Sequence, residues 1–276
     1  MVPKPASREP RAASLARRHF LGIAAAGAAR VSGIALPSAL LATKSADAMG
    51  IFPRDDPYRH RHHHHCFGRG TLISTPEGEV PVEDLAIGGL VVTGSGPLPV
   101  KWIGRTTLKK NASGSWHPSV IPIRVARFAI DDQTPRRDLY LSQGHCLLID
   151  GLLIPVKHLV NECSIAFDEG AKKSDAIEYF SVVLDTHQKV FAEGTAAETY
   201  RYDGGQIAWD NVAEYEDLYG RERQEMPAFA PHCRYKGGRA EMAALLRLAA
   251  SRFVDVRDPI QISYARIAAR AMSLAA

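Results

Sequence analysis

The sequence contains no Cys-x-x-Cys pair, the spacing that marks zinc ribbons and thioredoxin-like redox motifs. Its four cysteines, Cys66, Cys146, Cys163 and Cys233, are scattered through 276 residues. A cysteine-based metal ribbon is therefore excluded. One disulfide is possible, but the cysteine spacing does not show which two cysteines would form it.

A surplus of positive charge is also missing outside the N-terminal part of the chain. Residues 1–48 contain seven Lys/Arg and two acidic residues, which is a surplus of +5. Since the whole chain has a net charge of +4, the remaining residues have a net charge of −1. A nucleic-acid-binding surface needs a basic patch, so the composition predicts no nucleic-acid partner.

Long apolar runs are missing as well. Arg30 divides the Ala/Gly-rich stretch at residues 22–42, and its longest uncharged piece is 31–43. A membrane span needs about 18 apolar residues, so we expect no stable membrane span. The stretch follows Arg17-Arg18 and ends near Ala46-Asp47-Ala48, a cleavage-like site. Residues 1–48 resemble a twin-arginine signal peptide, whether cleaved or retained.

That resemblance implies a bacterial protein that uses the twin-arginine export machinery and is periplasmic or secreted. Residues 49–65 then form a polar, His-rich linker. Within it, His62, His63, His64 and His65 can bind Zn, Ni or Cu through their imidazoles. The same run can equally be a solvated linker, and we predict that no cofactor is required.

From Cys66 onward the sequence consists of short β-like runs bounded by Gly and Pro, which predicts a compact all-β domain. The candidate strands are 71–75, 90–93, 100–104, 120–128, 139–142, 146–149, 152–155, 179–184 and 189–192. Residues 185–188 are predicted to be a hairpin turn. Residues 201–276 form a C-terminal extension that is partly helical, with apolar residues at helical spacing in 242–253 and 260–271.

Three blocks, in order, carry a family resemblance. Residues 66–78 contain a cysteine, a Gly-containing link, Gly-Thr, an apolar strand and Thr-Pro-x-Gly. Residues 141–145 contain Ser-x-x-His, and residues 179–194 contain an aromatic, a β run and a turn with histidine. Together they resemble the Hint (Hedgehog/intein) domain family, closest to stand-alone bacterial Hint proteins. Gly89 departs from the aspartate usual in those proteins.

The resemblance implies a mainly β, horseshoe-like Hint domain over residues 66–200, followed by the short helical extension. The chemistry also follows from the residues themselves. The sulfur of Cys66 can attack the carbonyl carbon of His65 through a five-membered ring, which replaces the amide with a thioester. The departing nitrogen needs a proton, and His145 is the natural donor, with Ser142 as a hydrogen-bond partner near the bond.

Two further residues, His187 and Asp185, are weaker catalytic candidates because both can simply belong to a turn. The end of the third block departs from inteins, which have His-Asn and then a nucleophile there. Glu198, Thr199 and Tyr200 occupy these positions here. No asparagine is available to cyclise, so we predict cleavage without splicing, as in the Hedgehog family.

The sequence thus predicts cysteine-dependent autoproteolysis at the His65–Cys66 bond, a single intramolecular turnover with the chain's own N-terminal segment as substrate. Two alternatives stay open. One is a catalytically silent, exported Hint-fold interaction module. The other is a His-rich periplasmic metal-binding protein.

Overall fold

A computed structural model describes residues 65–204, 209–232 and 259–275. The predicted signal peptide, His62–His64 and the apolar residues of 242–253 lie outside this part of the chain. Within the described part, fourteen strands accompany three α-helices. The strands are β1 (Phe67–Gly68), β2 (Leu72–Thr75), β3 (Gly78–Pro81), β4 (Leu90–Thr93), β5 (Gly96–Pro99), β6 (Trp102–Lys109), β7 (Ile123–Val125), β8 (Leu139–Leu141), β9 (Cys146–Ile149), β10 (Leu152–Pro155), β11 (Ile165–Phe167), β12 (Ala176–Val183), β13 (Lys189–Ala192) and β14 (Thr195–Glu198).

The helices are α1 (Glu169–Lys173), α2 (Val212–Tyr219) and α3 (Pro259–Ala275). Single 3-10 turns occur at Val82–Asp84, Pro118–Val120 and Val156–His158. No helix among the described residues combines the length and the apolar character that a membrane crossing requires.

Two antiparallel sheets make up the fold. The first has the order β11-β7-β8-β1-β12-β6, and the second has β10-β9-β14-β13-β2-β3, with β4 joining β13 to β5. The prediction of a mainly β protein is confirmed. Its longest ladder pairs the eight residues of β12 with those of β6.

The apolar residues of both sheets meet in one main core. Phe67 of β1, Leu141 of β8 and Val182 of β12 are buried there with Leu147 of β9 and Val190 of β13. Alternation along the strands produces this burial, since every second side chain faces the same side of a sheet.

The C-terminal helix α3 packs against the same core. Ile267 is fully buried in it and Ala271 is 3% exposed, whereas Ala268 and Arg270 are half-buried and Ala269 is exposed. The helical spacing of Ile260, Tyr264, Ile267 and Ala271 therefore predicted this element correctly.

The predicted hairpin at residues 185–188 is wrong. β12 belongs to the first sheet, where it pairs with β1 and β6, and β13 belongs to the second. Residues 184–188 therefore carry the chain across the seam between the sheets. The hairpin lies one strand later, between β13 and β14, where Glu193 and Gly194 adopt positive φ angles of 49° and 80°.

Candidate active site

The peptide bond between His65 and Cys66 lies at the start of β1, and Cys66 is only 1% exposed. The amide N–H of Cys66 donates to Oγ of Ser142 across 3.1 Å. In return, the amide N–H of Ser142 donates to the carbonyl of Cys66 across 3.0 Å. The structure thus brings together two residues that the sequence predicted to cooperate, and it fixes the nitrogen side of the bond.

Ser181 on β12 holds the carbonyl side of the His65–Cys66 bond. Its Oγ lies 3.1 Å from Sγ of Cys66 and donates to the carbonyl oxygen of His65 across 3.4 Å. Nε1 of Trp209 donates to the same Oγ across 3.2 Å. A hydroxyl has one proton and two lone pairs. Because Trp209 occupies one lone pair and the His65 carbonyl takes the proton, the second lone pair remains for the thiol proton of Cys66.

Trp209 lies over a gap left by a glycine. Gly104 of β6 is the cross-strand neighbour of Ser181. A Cβ atom at position 104 would lie 2.5 Å from the indole, closer than two atoms can approach. The indole also packs against the rings of Trp102 and Tyr200, at centroid distances of 4.9 and 4.5 Å. The absence of a side chain at Gly104 therefore allows the indole to reach Ser181.

His145, just before β9, is fully buried. Its Nε2 lies 3.1 Å from the backbone carbonyl of Glu198. A carbonyl only accepts, so Nε2 carries the proton. Nδ1 then keeps its lone pair, and it has no hydrogen-bond partner among the described residues. The ring centroid lies 4.4 Å from that of Phe67, and the ring contacts the backbone of Cys66.

Burial lowers the pKa of His145 to about 4, against a smaller opposing effect of the Glu198 charge. The resting imidazole is therefore neutral near pH 7, with its free lone pair on Nδ1. The sequence predicted a proton donor. A neutral imidazole with its lone pair on Nδ1 can donate from that nitrogen only after it has accepted a proton there.

Burial also raises the pKa of the Cys66 thiol to about 12, although the hydrogen bond with Ser181 acts in the opposite direction. The sulfur is thus protonated at neutral pH. Attack on the His65 carbonyl requires the proton to leave at the same time, and Ser181 is the group in contact with it.

Glu198, at the end of β14, has a completely buried carboxylate. Its Oε1 lies 2.5 Å from Nδ1 of His65 and accepts the amide N–H of Cys146 across 2.7 Å. Its Oε2 lies 3.2 Å from Nε2 of His187. Burial alone would raise the pKa of Glu198, but its attraction to His65 and the hydrogen bond from His187 hold it well below the ordinary value. An ionised Glu198 thus holds the residue whose carbonyl would be attacked.

The other predicted residues lie farther from the bond. His187 contacts Glu198 through Nε2, and its Nδ1 accepts the amide N–H of Phe229 across 3.4 Å. Burial lowers the pKa of His187. The side chain of Asp185 is 76% exposed and pairs with Lys101 across 2.8 Å. The structure therefore places Asp185 at the surface and not around the His65–Cys66 bond.

Sequence reasoning missed three residues around this site, which are Ser181, Trp209 and His232. Glu198 was noticed only as a departure from inteins. Ser181 gave one usable signal, since a serine within the apolar run of β12 has to be buried with a partner. Trp209 and His232 lie beyond the third block and gave none.

The sequence model of the Hint domain matches residues 65–204, half of the chain. The chain belongs to the Hint domain family. The resemblance noted in the three sequence blocks is confirmed, and the matched residues include Cys66, Ser142, His145 and Ser181. A Hint fold is one with a capacity for self-processing.

Two solved inteins are similar in fold to this Hint protein. The gp41-1 intein shares 12% identity, with 48% of this chain and 96% of that chain covered and a TM-score of 0.31. A class 3 split intein, AceL NrdHF, shares 10% identity, with 52% and 100% covered and a TM-score of 0.28. No curated protein matches the sequence. The Hint match ends at residue 204, whereas Trp209 and His232 contact its site from beyond that boundary.

Proposed function

We propose that this Hint domain cleaves its own chain at the His65–Cys66 bond through a thioester and does not splice. One observation carries the proposal: both ends of this single peptide bond are held by hydroxyls, one from the half-buried Ser142 and one from the fully buried Ser181. Ser142 accepts from its N–H, and Ser181 donates to its carbonyl while lying 3.1 Å from the attacking sulfur. A structural cysteine does not require this arrangement.

The first step forms the bond between Sγ of Cys66 and the carbonyl carbon of His65. As sulfur attacks, its proton passes to Oγ of Ser181, and the Ser181 proton passes to the carbonyl oxygen. The product is a neutral tetrahedral intermediate with a C–OH group. Hydrogen-bond donors aimed at an oxygen that gains charge are the main source of rate enhancement in acyl transfer.

The second step breaks the carbon–nitrogen bond. Nδ1 of His145 takes the proton from the intermediate's hydroxyl as the carbonyl reforms, and it delivers the proton to the nitrogen of Cys66. That nitrogen leaves as the amine, and the acyl group of His65 remains on sulfur as a thioester. The low pKa of His145 supports this sequence, because a neutral imidazole accepts a proton first and readily gives it up.

An external nucleophile then attacks the thioester and releases the segment that ends at His65. The C-terminal side offers no second cleavage. Thr199 and Tyr200 stand where an intein would have its asparagine and second nucleophile, and their amides donate to the carbonyls of Gln188 and Val182. Both positions are part of the folded backbone and contain no side-chain amide.

The test is incubation of the full-length chain with dithiothreitol or hydroxylamine, followed by intact-mass measurement. We expect a new fragment that begins at Cys66, its loss in Cys66→Ala, and its retention in Cys163→Ala, which removes an exposed cysteine instead. A chain that stays intact under both reagents overturns the proposal.

A further inference from the structure

A second group of side chains lies on the far side of Glu198. His187 comes from the crossing between the sheets, Glu198 ends β14, and His232 comes from the segment that bridges to Leu153 of β10. One ligand atom of each residue lies within 4.8 Å of the other two. Two residues 11 positions apart and a third from farther along the chain therefore place two imidazoles around one carboxylate.

The distances suit a small divalent cation. Nε2 of His187 and Nε2 of His232 lie 3.2 and 3.9 Å from Oε2 of Glu198. Zinc binds nitrogen and oxygen at about 2.0–2.1 Å, so the donors around a tetrahedral zinc ion lie about 3.3 Å apart. The two rings are parallel within 12°, with centroids 6.0 Å apart.

One atom of the cluster has no other partner. Nε2 of His232 is buried and makes no hydrogen bond among the described residues. Buried polar atoms are normally satisfied, so an orphan that faces a carboxylate requires an explanation. The other nitrogen of this ring, Nδ1, lies 3.8 Å from Sγ of Cys146. If Nδ1 carries the proton, Nε2 presents its lone pair towards Glu198.

The carboxylate is itself held in place. Oε1 accepts the amide N–H of Cys146, which fixes the plane of Glu198 and leaves Oε2 directed at the two imidazoles. Backbone and second-layer contacts of this kind orient ligands in metal centres. Two histidines and one carboxylate with an open fourth position form a common zinc ligand set.

We propose that Zn²⁺ binds between His187, His232 and Glu198, at a site separate from the histidine run of the linker. The ion would fasten the segment carrying His232 to β14 and to the crossing between the two sheets. It would share Glu198 with His65, because His65 contacts Oε1 and the zinc would bind Oε2.

Binding requires one rearrangement. The amide of Phe229 donates to Nδ1 of His187, so the proton of that ring is on Nε2. Coordination through Nε2 moves the proton to Nδ1, and the Phe229 amide has to turn away. Zinc is thus expected to accelerate hydrogen exchange at Phe229, a change that a metal bound elsewhere would not produce.

The test uses the full-length chain with Cys66→Ala, so that cleavage plays no part, and with His60, His62, His63 and His64 changed to Gln. Zinc affinity is measured by competition with a chromogenic chelator. We expect one zinc per chain and at least about a tenfold loss of affinity in His187→Gln or His232→Gln. His158→Gln, a half-buried histidine outside the cluster, should bind as the parent does.

His232→Cys guards against a variant that simply misfolds. It supplies a thiolate at the same position, so Co²⁺ bound to it should gain a thiolate charge-transfer band that the parent lacks. Absence of zinc binding, or parental affinity in both His187→Gln and His232→Gln, overturns the proposal. So does loss of binding in Cys146→Ser with retention in His232→Gln, which would assign the ion to His65, Cys146 and Glu198.

Discussion

Trp209 donates its indole N–H to the hydroxyl of Ser181 across 3.2 Å, and this bond joins the segment beyond the Hint match to the centre of the site. Because one lone pair of Ser181 accepts the indole N–H, the orientation of the hydroxyl O–H bond is restricted. The bond therefore orients the group that we propose to move the thiol proton.

Ser181→Ala should slow thioester formation by about 100- to 1,000-fold, the usual cost of losing one donor to a developing oxyanion. The measurement is the rate at which dithiothreitol releases the fragment that begins at Cys66. Ser164→Ala is the matched control, because Ser164 is also buried but bonds to Asn161. Equal rates in Ser181→Ala and the parent would remove Ser181 from the mechanism.

Trp209→Phe should slow cleavage about fivefold, which corresponds to the ~1 kcal/mol of one neutral hydrogen bond. Gly104→Ala should act in the same direction, since its methyl group displaces the indole. Cleavage rates of the two single variants and the double variant form a cycle. If Gly104→Ala acts through Trp209, the double variant should be little slower than the slower single variant. Fully additive losses would show that the glycine matters for another reason.

The cleavage rate should fall as the pH decreases towards 4, because protonation of His145 removes the lone pair on Nδ1. Between about pH 6 and 9 the His145 imidazole is neutral, and the Cys66 thiol, with a pKa of about 12, stays protonated. With dithiothreitol in enough excess that the rate no longer depends on its concentration, thioester formation limits cleavage, and the rate should be nearly constant between about pH 6 and 9. A rate that rises roughly tenfold per pH unit across that range would indicate attack by free thiolate and contradict the internal proton transfer.

A reporter domain fused after residue 276 should never be released or ligated to the N-terminal segment. The physical reason is that Glu198-Thr199-Tyr200 contains no asparagine side chain to attack the backbone. Electrophoresis and mass measurement of the fusion during dithiothreitol treatment provide the check. A ligated product in which residues 1–65 are joined to residues 200–276 and the reporter would show that the chain splices and contradict this prediction.

Much of the fold was predictable because regular alternation identifies strands. The bounds of β4, β9, β10 and β13 agree with the sequence prediction to the residue. β3 (Gly78–Pro81) and β5 (Gly96–Pro99) were missed, since their Gly and Pro content is typical of turns. Both are paired on one side only, β3 with β2 and β5 with β4, in hairpins that tolerate such residues.

The site was predictable only where a linear motif spans it. Cys66, Ser142 and His145 fall in the first two blocks, and the structure places them around one peptide bond. Ser181 lies within the third block, where the only local signal was a serine in an apolar run, and its place beside that bond depends on sheet pairing. Trp209 reaches Ser181 through the gap at Gly104, which no local pattern records. Asp185 shows the reverse case, because its place in a motif suggested chemistry, yet its carboxylate forms a surface ion pair with Lys101.

Because the residues around Cys66 come from much later in the chain, the reaction can begin only after they have been synthesised and folded. Cys66 contacts Ser142, which is 76 positions later in the sequence, and Ser181, which is 115 positions later. Trp209 follows a further 28 positions on. A chain emerging from the ribosome would hold an ordinary, unreactive amide at His65–Cys66 until nearly the whole domain had been synthesised and closed. Scission would then report completed folding, so that a truncated or misfolded chain keeps its N-terminal segment attached.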